Sequence, residues 1–483
     1  MMERAGYFTG LNEEDVKYEI REFQGHGKTL QVEVPVVTTE QLLQIAEGVK
    51  TASDHILKSF SVSELVRIID EVIARLLDRD NLYRQKAEEL LPIITGFDEE
   101  MVRLGLTSQL KTFRKPQLQR FLVEDFGNPL LLDDFQPRAK GGHSKAIGPG
   151  LMTHIWAGNV PALPLWSIVS SLLVKGGSIG KVSSAEPLFA GWVAKMIAEV
   201  EPRLRGCLAV VWWPGGDEEK ESALFNASDL VFAYGGNEAL TAIKNHVPLT
   251  TKFLGHGHKI SFGLVSKESL NAKNAAETAR LAAYDVMRFD QQGCYSPQFF
   301  FVQSGGQVSP KSFSQYVAHE LAVFEKRFPR RALSKEEGAE LFTWRQKEQM
   351  SVFSEQGKEV IGPDSGSWAV VYEPLKDFVL PSPLNRVVRI IEIEDFHEIL
   401  PLLVPFRHYL QTAGIAASPE NLFHLSSLLA KTGVTRISSL GQMTAPEAGW
   451  HHDGAWSLLD LVQMVDIEDN AEVYAEKFAS YRD

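Results

Sequence analysis

The sequence predicts an α/β protein built on parallel sheets and preceded by a helical region. Three observations carry this. Apolar residues recur three and four apart between 40 and 115, strand-like and helix-like runs alternate from 150 to 255, and the alternation resumes from about 258 to 440.

In the first region Ser61 and Ser63 stand where helix N-caps are expected, with Glu64 close behind. Gly and Pro punctuate "FGNPLLLDDFQPRAKGGHSKAIGPG", which predicts short strands and turns. "LMTHIWA" then reads as a buried strand and "LPLWSIVSSLLVKGG" as an apolar helix. "SIGKVS" is strand-like and "EPLFAGWVAKMIAEVEP" is helical. "CLAVVWWPGG" and "SDLVFAYGG" are further strands, each running into two glycines. Such an order makes a parallel sheet, which binds ligands at the carboxyl ends of its strands. Beyond 258, the helix "NAAETARLAAYDVMRF" leads into "DQQGCYSPQ". The strand "QFFFVQS", the helix "PKSFSQYVAHELAVFEKRF" and strands near "SWAVVYE" and "NRVVRIIEI" follow, and the tail carries "GWHHDGAWSLLDLVQMVDIED".

Composition narrows the function classes. The chain has 483 residues and a formal net charge of -13, from 62 acidic against 49 basic residues, with no basic stripe, so nucleic acid is a poor partner. Two cysteines form no disulfide framework, acids occupy the N-terminus where a secretory signal needs an apolar core, and no run reaches the ~18 apolar residues of a membrane span. A cytoplasmic protein is expected.

Cys207 sits inside an apolar strand and reads as a small buried hydrophobe. Cys294 lies on a loop between helix and strand, where a nucleophile and a structural thiol are both reasonable. Asn159, between a strand and a helix, is an oxyanion donor or an N-cap. Lys181 ends a strand and is a ribose or phosphate donor or a snorkelling surface lysine. Gly235 and Gly236 do not match the G-x-G-x-x-G fingerprint. His451 and His452, followed by Asp453, raise a metal or a Cys-His relay; adjacent histidines on extended chain point apart, which disfavours the metal.

The order of these signals is more specific than any one of them. Asn159-Val160-Pro161, Lys181 with Pro187, "VVWWPGG", "SDLVFAYGGNEAL", "FLGHGHKISF" and "QQGCYSP" follow one another in a way that resembles the aldehyde dehydrogenase superfamily. That resemblance implies an aldehyde dehydrogenase-like fold, with a Rossmann-type nucleotide-binding domain in 1–255 after the helical region. It further implies a catalytic domain in 256–440 that carries the nucleophile Cys294, a C-terminal segment in 441–483, and an oligomerisation hairpin in 128–149. Asn159 becomes the oxyanion donor, while Lys181, Ser184, Gly235 and Gly236 become cofactor residues. The carboxylate that activates water in the oxidising members falls at Phe253, so the acyl enzyme should exchange with a thiol rather than hydrolyse. A serine at 184 in place of the ribose-binding Glu favours NADPH. With "HIWAGNVPALPLWS" and "GWHHDGAWSLLDLV", the chain looks like the long-chain acyl-CoA reductases of bacterial bioluminescence systems. That family implies fatty acyl-CoA as substrate, fatty aldehyde as product, an acyl-protein synthetase as partner and a homo-oligomer. A Cys-His acyltransferase or thioesterase, and a non-catalytic scaffold, are the alternatives.

Overall fold

A computed structural model describes residues 1–375 and 377–481; the last two residues of the expected 441–483 segment lie outside the described residues. The chain opens with a three-stranded sheet that the helical pattern does not announce. Lys17–Gly25 and Lys28–Val36 form a hairpin, and Met2–Arg4 pairs parallel to the second strand. The two-residue turn, His26 at φ 51° and Gly27 at φ 70°, has the left-handed backbone that matches strand twist in a tight hairpin. Leu30, Val32 and Val34 alternate along the second strand and are buried.

Five helices follow, Thr39–His55, Val62–Leu77, Leu82–Thr95, Glu99–Lys111 and Lys115–Phe126. Ser61 is the N-cap of the second: its hydroxyl accepts the Glu64 amide N–H while the Glu64 carboxylate accepts the Ser61 N–H. Ser63 lies inside the helix.

The first large sheet has the spatial order Lys252–His256, Leu230–Tyr234, Leu151–Ile155, Gly177–Lys181, Leu208–Val211, all parallel. One face packs on the helices Pro164–Leu173 and Phe189–Val200, the other on Thr39–His55 and Glu218–Ala227, so the three central and inner strands are apolar on both faces. The chain order reverses between Leu151–Ile155 and Leu230–Tyr234. The loops after Ile155 and Tyr234 therefore diverge and leave a crevice at the carboxyl edge.

The second large sheet has seven strands, in the order Glu359–Ile361, Ala369–Pro374, Val387–Ile393, Pro297–Gln303, Ile260–Val265, Leu410–Ala416, Arg436–Ser439. Only the first is antiparallel to its neighbour. Phe300 points into the cluster under the helices Ala275–Met287 and Pro310–Arg327; Phe299 and Phe301 point to the other face, edge to face at 5.4 Å. A small sheet joins distant parts of the chain: Gln136–Pro137 pairs antiparallel with His143–Ile147, and Gln463–Ile467 adds to the other side. Among the described residues, no helix is long and apolar enough to cross a membrane.

Candidate active site

Where the two large sheets and the helical region meet, the protein encloses a cavity of about 490 Å³. Cys294, Asn159, Gly235 and Gly236 all line it. Phe113, Phe121 and Trp166 form one apolar wall, with the Trp166 ring centroid 4.7 Å from that of Phe121 and 6.0 Å from that of Phe113. Cys207, by contrast, is fully buried beside a strand, its thiol pushed up to about 11 by burial, as a structural cysteine would be.

The loop that presents Cys294 is strained and heavily tied. Phe289, Asp290 and Gln291 have φ of 47°, 51° and 64°, three successive non-glycine residues in left-handed backbone. A second such run, Leu384, Asn385 and Arg386 at 62°, 57° and 65°, lies against it. Left-handed backbone at such residues costs roughly 1–3 kcal/mol each and persists only where the surroundings over-determine it. Here they do. Asp290 and Arg386, each 1% exposed at the side chain, pair at 2.6 Å; the Asn385 N–H donates to the Asp290 carbonyl at 3.1 Å. The Gln291 side chain accepts the Val387 N–H at 2.8 Å and donates to the carbonyls of Pro297 and Val387. The Ser261 hydroxyl donates to the Cys294 carbonyl at 2.9 Å.

Cys294 is half-buried, and its thiol is pushed up to about 11, first by burial and then by the charge of Asp453; Gln411 and Lys259 oppose this. Asn159 reaches the same loop, donating its side-chain amide to the Gln292 carbonyl at 2.8 Å, two residues before the sulfur.

Asp453 corrects one expectation. The motif points to Phe253 as the site of a missing carboxylate, but Phe253 packs with Ala233 and Ile243 in the far cluster and does not line the cavity. Strand alternation puts Leu254 and His256 on the other face, and His256 reaches the cavity. Nor is the cavity free of acids. Asp453 lines it, although both its oxygens are engaged: His256 Nδ1 donates at 2.8 Å, Gln411 Nε2 at 2.7 Å, and Lys259 Nζ lies 3.5 Å away. Burial works against its charge, but the His256 hydrogen bond and the nearby imidazoles win and hold the carboxyl far below the usual range. Such a carboxylate is too weak a base to activate water.

The two tail histidines part company. His451 is exposed, edge-on to Trp456, whereas His452 lines the cavity and stacks on His256 at 4.1 Å. Burial and the neighbouring His256 push His452 down to about 3. His256, His452 and Asp453 offer ligand atoms within 4.8 Å of one another, which is metal-site spacing. Their rings, however, are nearly parallel at 16°, so the in-plane lone pairs do not converge on one point, and His256 Nδ1 is committed to Asp453.

Lys181 and Ser184 lie outside the cavity, on the same carboxyl edge as the glycine pair: Lys181 registers with Ile155, which registers with Ala233 just before Gly235. Fit to a nucleotide rests on three features. Gly236 caps the helix Asn237–His246 and has nothing within 4 Å of where a side chain would begin. Lys181 has no carboxylate within ion-pair distance among the described residues; burial lowers its pKa. The Ser184 hydroxyl accepts the Trp212 indole N–H at 3.1 Å and keeps its own hydrogen to donate. Glu186, the nearest acid in the motif, is buried and accepts the amides of Leu188 and Phe189, so no carboxylate takes the ribose position from there.

Comparison with known proteins agrees with this architecture. The family description "Acyl-CoA reductase (LuxC)" matches residues 57–464. The long-chain acyl-protein thioester reductase of Aliivibrio fischeri is 29% identical over 426 residues, covering 84% of this chain and 85% of that protein. Long-chain acyl-protein thioester reductase 2 of Photobacterium leiognathi is 25% identical, covering 90% and 87%. Among solved structures, salicylaldehyde dehydrogenase of Pseudomonas putida G7, complexed with salicylaldehyde, superposes with a TM-score of 0.72 at 13% identity, covering 97% and 98%. NADP-dependent glyceraldehyde-3-phosphate dehydrogenase of Bacillus halodurans C-125, complexed with NADP, gives 0.69 at 13%, covering 94% and 96%. The fold is that of the aldehyde dehydrogenases.

Proposed function

The chain belongs to the LuxC family of acyl-CoA reductases, oxidoreductases of acyl groups, and we propose that it reduces long-chain acyl-CoA to fatty aldehyde with NADPH through an acyl group carried on Cys294. The observation that carries this reading is the shared cavity, in which Cys294 and Asn159 meet the glycine pair at the carboxyl edge of the first sheet.

The Cys294 sulfur attacks the thioester carbon; the carbon–sulfur bond to the carrier breaks and the carrier thiol departs with a proton. Covalent attachment divides one hard displacement into two easier steps. The second amide hydrogen of Asn159 and the Cys294 N–H stabilise the oxyanion, a contribution of about 3 kcal/mol per donor. Because the thiol is pushed up to about 11, a base must take its proton. His256 suits this better than His452 or His451: Asp453 fixes its tautomer, whereas burial disfavours charge on His452 and His451 lies outside. NADPH, when bound, supplies the hydride. Gly235, Gly236, Lys181 and Ser184 would hold it, with the Ser184 hydroxyl donating to a 2′-phosphate. The reduced carbon then collapses to aldehyde as the Cys294 sulfur leaves.

We place the functional division at 1–255, 256–440 and 441–483, self-association at 128–149, whose strands Gln136–Pro137 and His143–Ile147 lie in the small sheet, and the supply of acyl groups with an acyl-protein synthetase in the cytoplasm. Mixing purified protein with tetradecanoyl-CoA and NADPH, following NADPH absorbance and trapping the aldehyde tests the reading. Loss of NADPH without aldehyde, or no loss at all, overturns it. Asp453, His256 and Cys294 lining one cavity also suit a Cys-His thioesterase. That reading predicts thioester hydrolysis with no nicotinamide and no NADPH binding.

A further inference from the structure

Six cationic side chains are buried among the described residues: Arg84, Lys175, Arg288, Lys358, Arg386 and Arg389. Five are paired with carboxylates. Arg84 meets Glu88 at 2.7 Å, Lys175 meets Asp133 at 2.7 Å, Lys358 meets Glu348 at 2.6 Å, Arg386 meets Asp290 at 2.6 Å and Arg389 meets Glu373 at 3.0 Å. Arg288 is the exception. It is 6% exposed and lines the cavity, yet its Nε has no acceptor and its one hydrogen bond runs from Nη1 to the neutral Tyr284 hydroxyl at 3.3 Å. No carboxylate among the described residues lies within ion-pair distance.

The surroundings compensate the charge only in part. The guanidinium carbon lies 5.2 Å from the Phe289 ring centroid and 5.8 Å from that of Tyr284. Arg288 also follows the last residue of the helix Ala275–Met287, whose carboxyl end offers about half a negative charge. Ring faces and a helix end do not replace a full counter-charge for a cation taken out of water. A buried, unmatched charge in a binding cavity is the expected state of a receptor whose partner arrives with the ligand. Its place says which ligand. The adjacent Phe289 packs its ring on Gly105 of the helix Glu99–Lys111, where a side-chain carbon would meet Phe289 Cζ at 2.2 Å. This is the helical, apolar side of the cavity and not the glycine edge.

We propose that Arg288 receives an oxyanion of the acyl substrate, a carboxylate on the acyl chain or a phosphate on its thiol carrier. The assignment rests on the acyl-thioester reading, but its test does not require turnover. Three non-reactive thioethers are titrated calorimetrically into the full chain: S-tetradecyl-pantetheine, S-tetradecyl-phosphopantetheine, and the ω-carboxy form of the first. The wild type should bind one anionic ligand at least about tenfold more tightly than the neutral one; which of the two it is identifies the source of the anion. Arg288→Gln should abolish that preference and Arg288→Lys should keep part of it, with NADPH affinity unchanged in both. Because an unmatched buried cation is removed, Arg288→Gln should also raise the melting temperature of the ligand-free protein. Equal binding of all three thioethers, an equal loss on all three, a shift in NADPH affinity, or a fall in melting temperature overturns the proposal. A preference that persists in a protein unable to reduce thioesters would sink the reductase reading alone; reduction without the preference would sink Arg288 alone.

Discussion

The two walls of the cavity are built by opposite means. The five-stranded sheet ends in Gly235 and Gly236, with open space around the second, and just outside the cavity in Lys181, which has no carboxylate within ion-pair distance among the described residues. The seven-stranded side is entered through two left-handed runs of non-glycine residues, ahead of the strands Pro297–Gln303 and Val387–Ile393 and clamped by the buried Asp290–Arg386 pair. A ligand that comes and goes needs vacant donors and room. A nucleophile that must stay within a fraction of an ångström of its target needs backbone held from several directions, even at a cost in strain.

The largest expected effect is at the sulfur. Cys294→Ala should cut both acylation and aldehyde formation by about a thousandfold or more, measured by single-turnover transfer from radiolabelled acyl-CoA, while NADPH affinity stays unchanged. Normal labelling of that variant breaks the division of labour between the walls. In the wild type, a thiol pushed up to about 11 is protonated at neutral pH, so the reactive fraction grows as pH rises. With His256 present to take the proton that dependence is relieved, so His256→Ala should expose it: its acylation rate should climb toward about tenfold per pH unit across the neutral to mildly alkaline range, more steeply than in the wild type. A flat profile in His256→Ala would show that the thiolate is made some other way.

Next comes the clamp. Arg386→Met leaves Asp290 charged and buried, and should lower stability by about 3–5 kcal/mol. Adding Asp290→Asn should recover part of this in the melting temperature. Lys181→Met, on the other wall, should cost less than about 0.5 kcal/mol of stability and weaken NADPH instead. Equal melting losses at the two sites would erase the contrast. Asn159→Ala bridges the walls. It should lower kcat by about a hundredfold with little change in KM, as expected for a donor used chiefly in the transition state.

Much of this was legible in the sequence. Alternating strand and helix runs predict both large sheets, and the residues singled out as nucleophile, oxyanion donor and glycine edge share one cavity. What escaped was long-range. The pairing of His256 with Asp453 spans 197 residues, and no local pattern in "GHGHK" or "HHDG" reports it. The motif puts Phe253 in the place of a catalytic carboxylate, whereas strand alternation turns its side chain to the face away from the cavity. The left-handed runs also gave little warning, since Phe, Gln, Leu and Arg rarely adopt that backbone without tertiary support. The first sheet did leave a mark, in the alternation of Leu30, Val32 and Val34, but it is short beside the helical periodicity that follows.

The smallest predicted effect tests the open wall most directly. Ser184 is exposed, accepts the Trp212 N–H and keeps a hydrogen to offer. Ser184→Glu would put a carboxylate where the proposed function has the 2′-phosphate received. Two charges about 4 Å apart repel by roughly 1 kcal/mol in water and up to about 4 near a protein surface. Exposure favours the lower end, so NADPH affinity should fall about tenfold while NADH, whose ribose hydroxyl can donate to the new carboxylate, holds or gains. Salt separates charge from mere bulk. If repulsion is the cause, the NADPH deficit should shrink as ionic strength rises and the Debye length contracts. A deficit that is equal for both nucleotides and insensitive to salt would mean that the side chain only blocks the crevice, and that nothing at position 184 reads the phosphate.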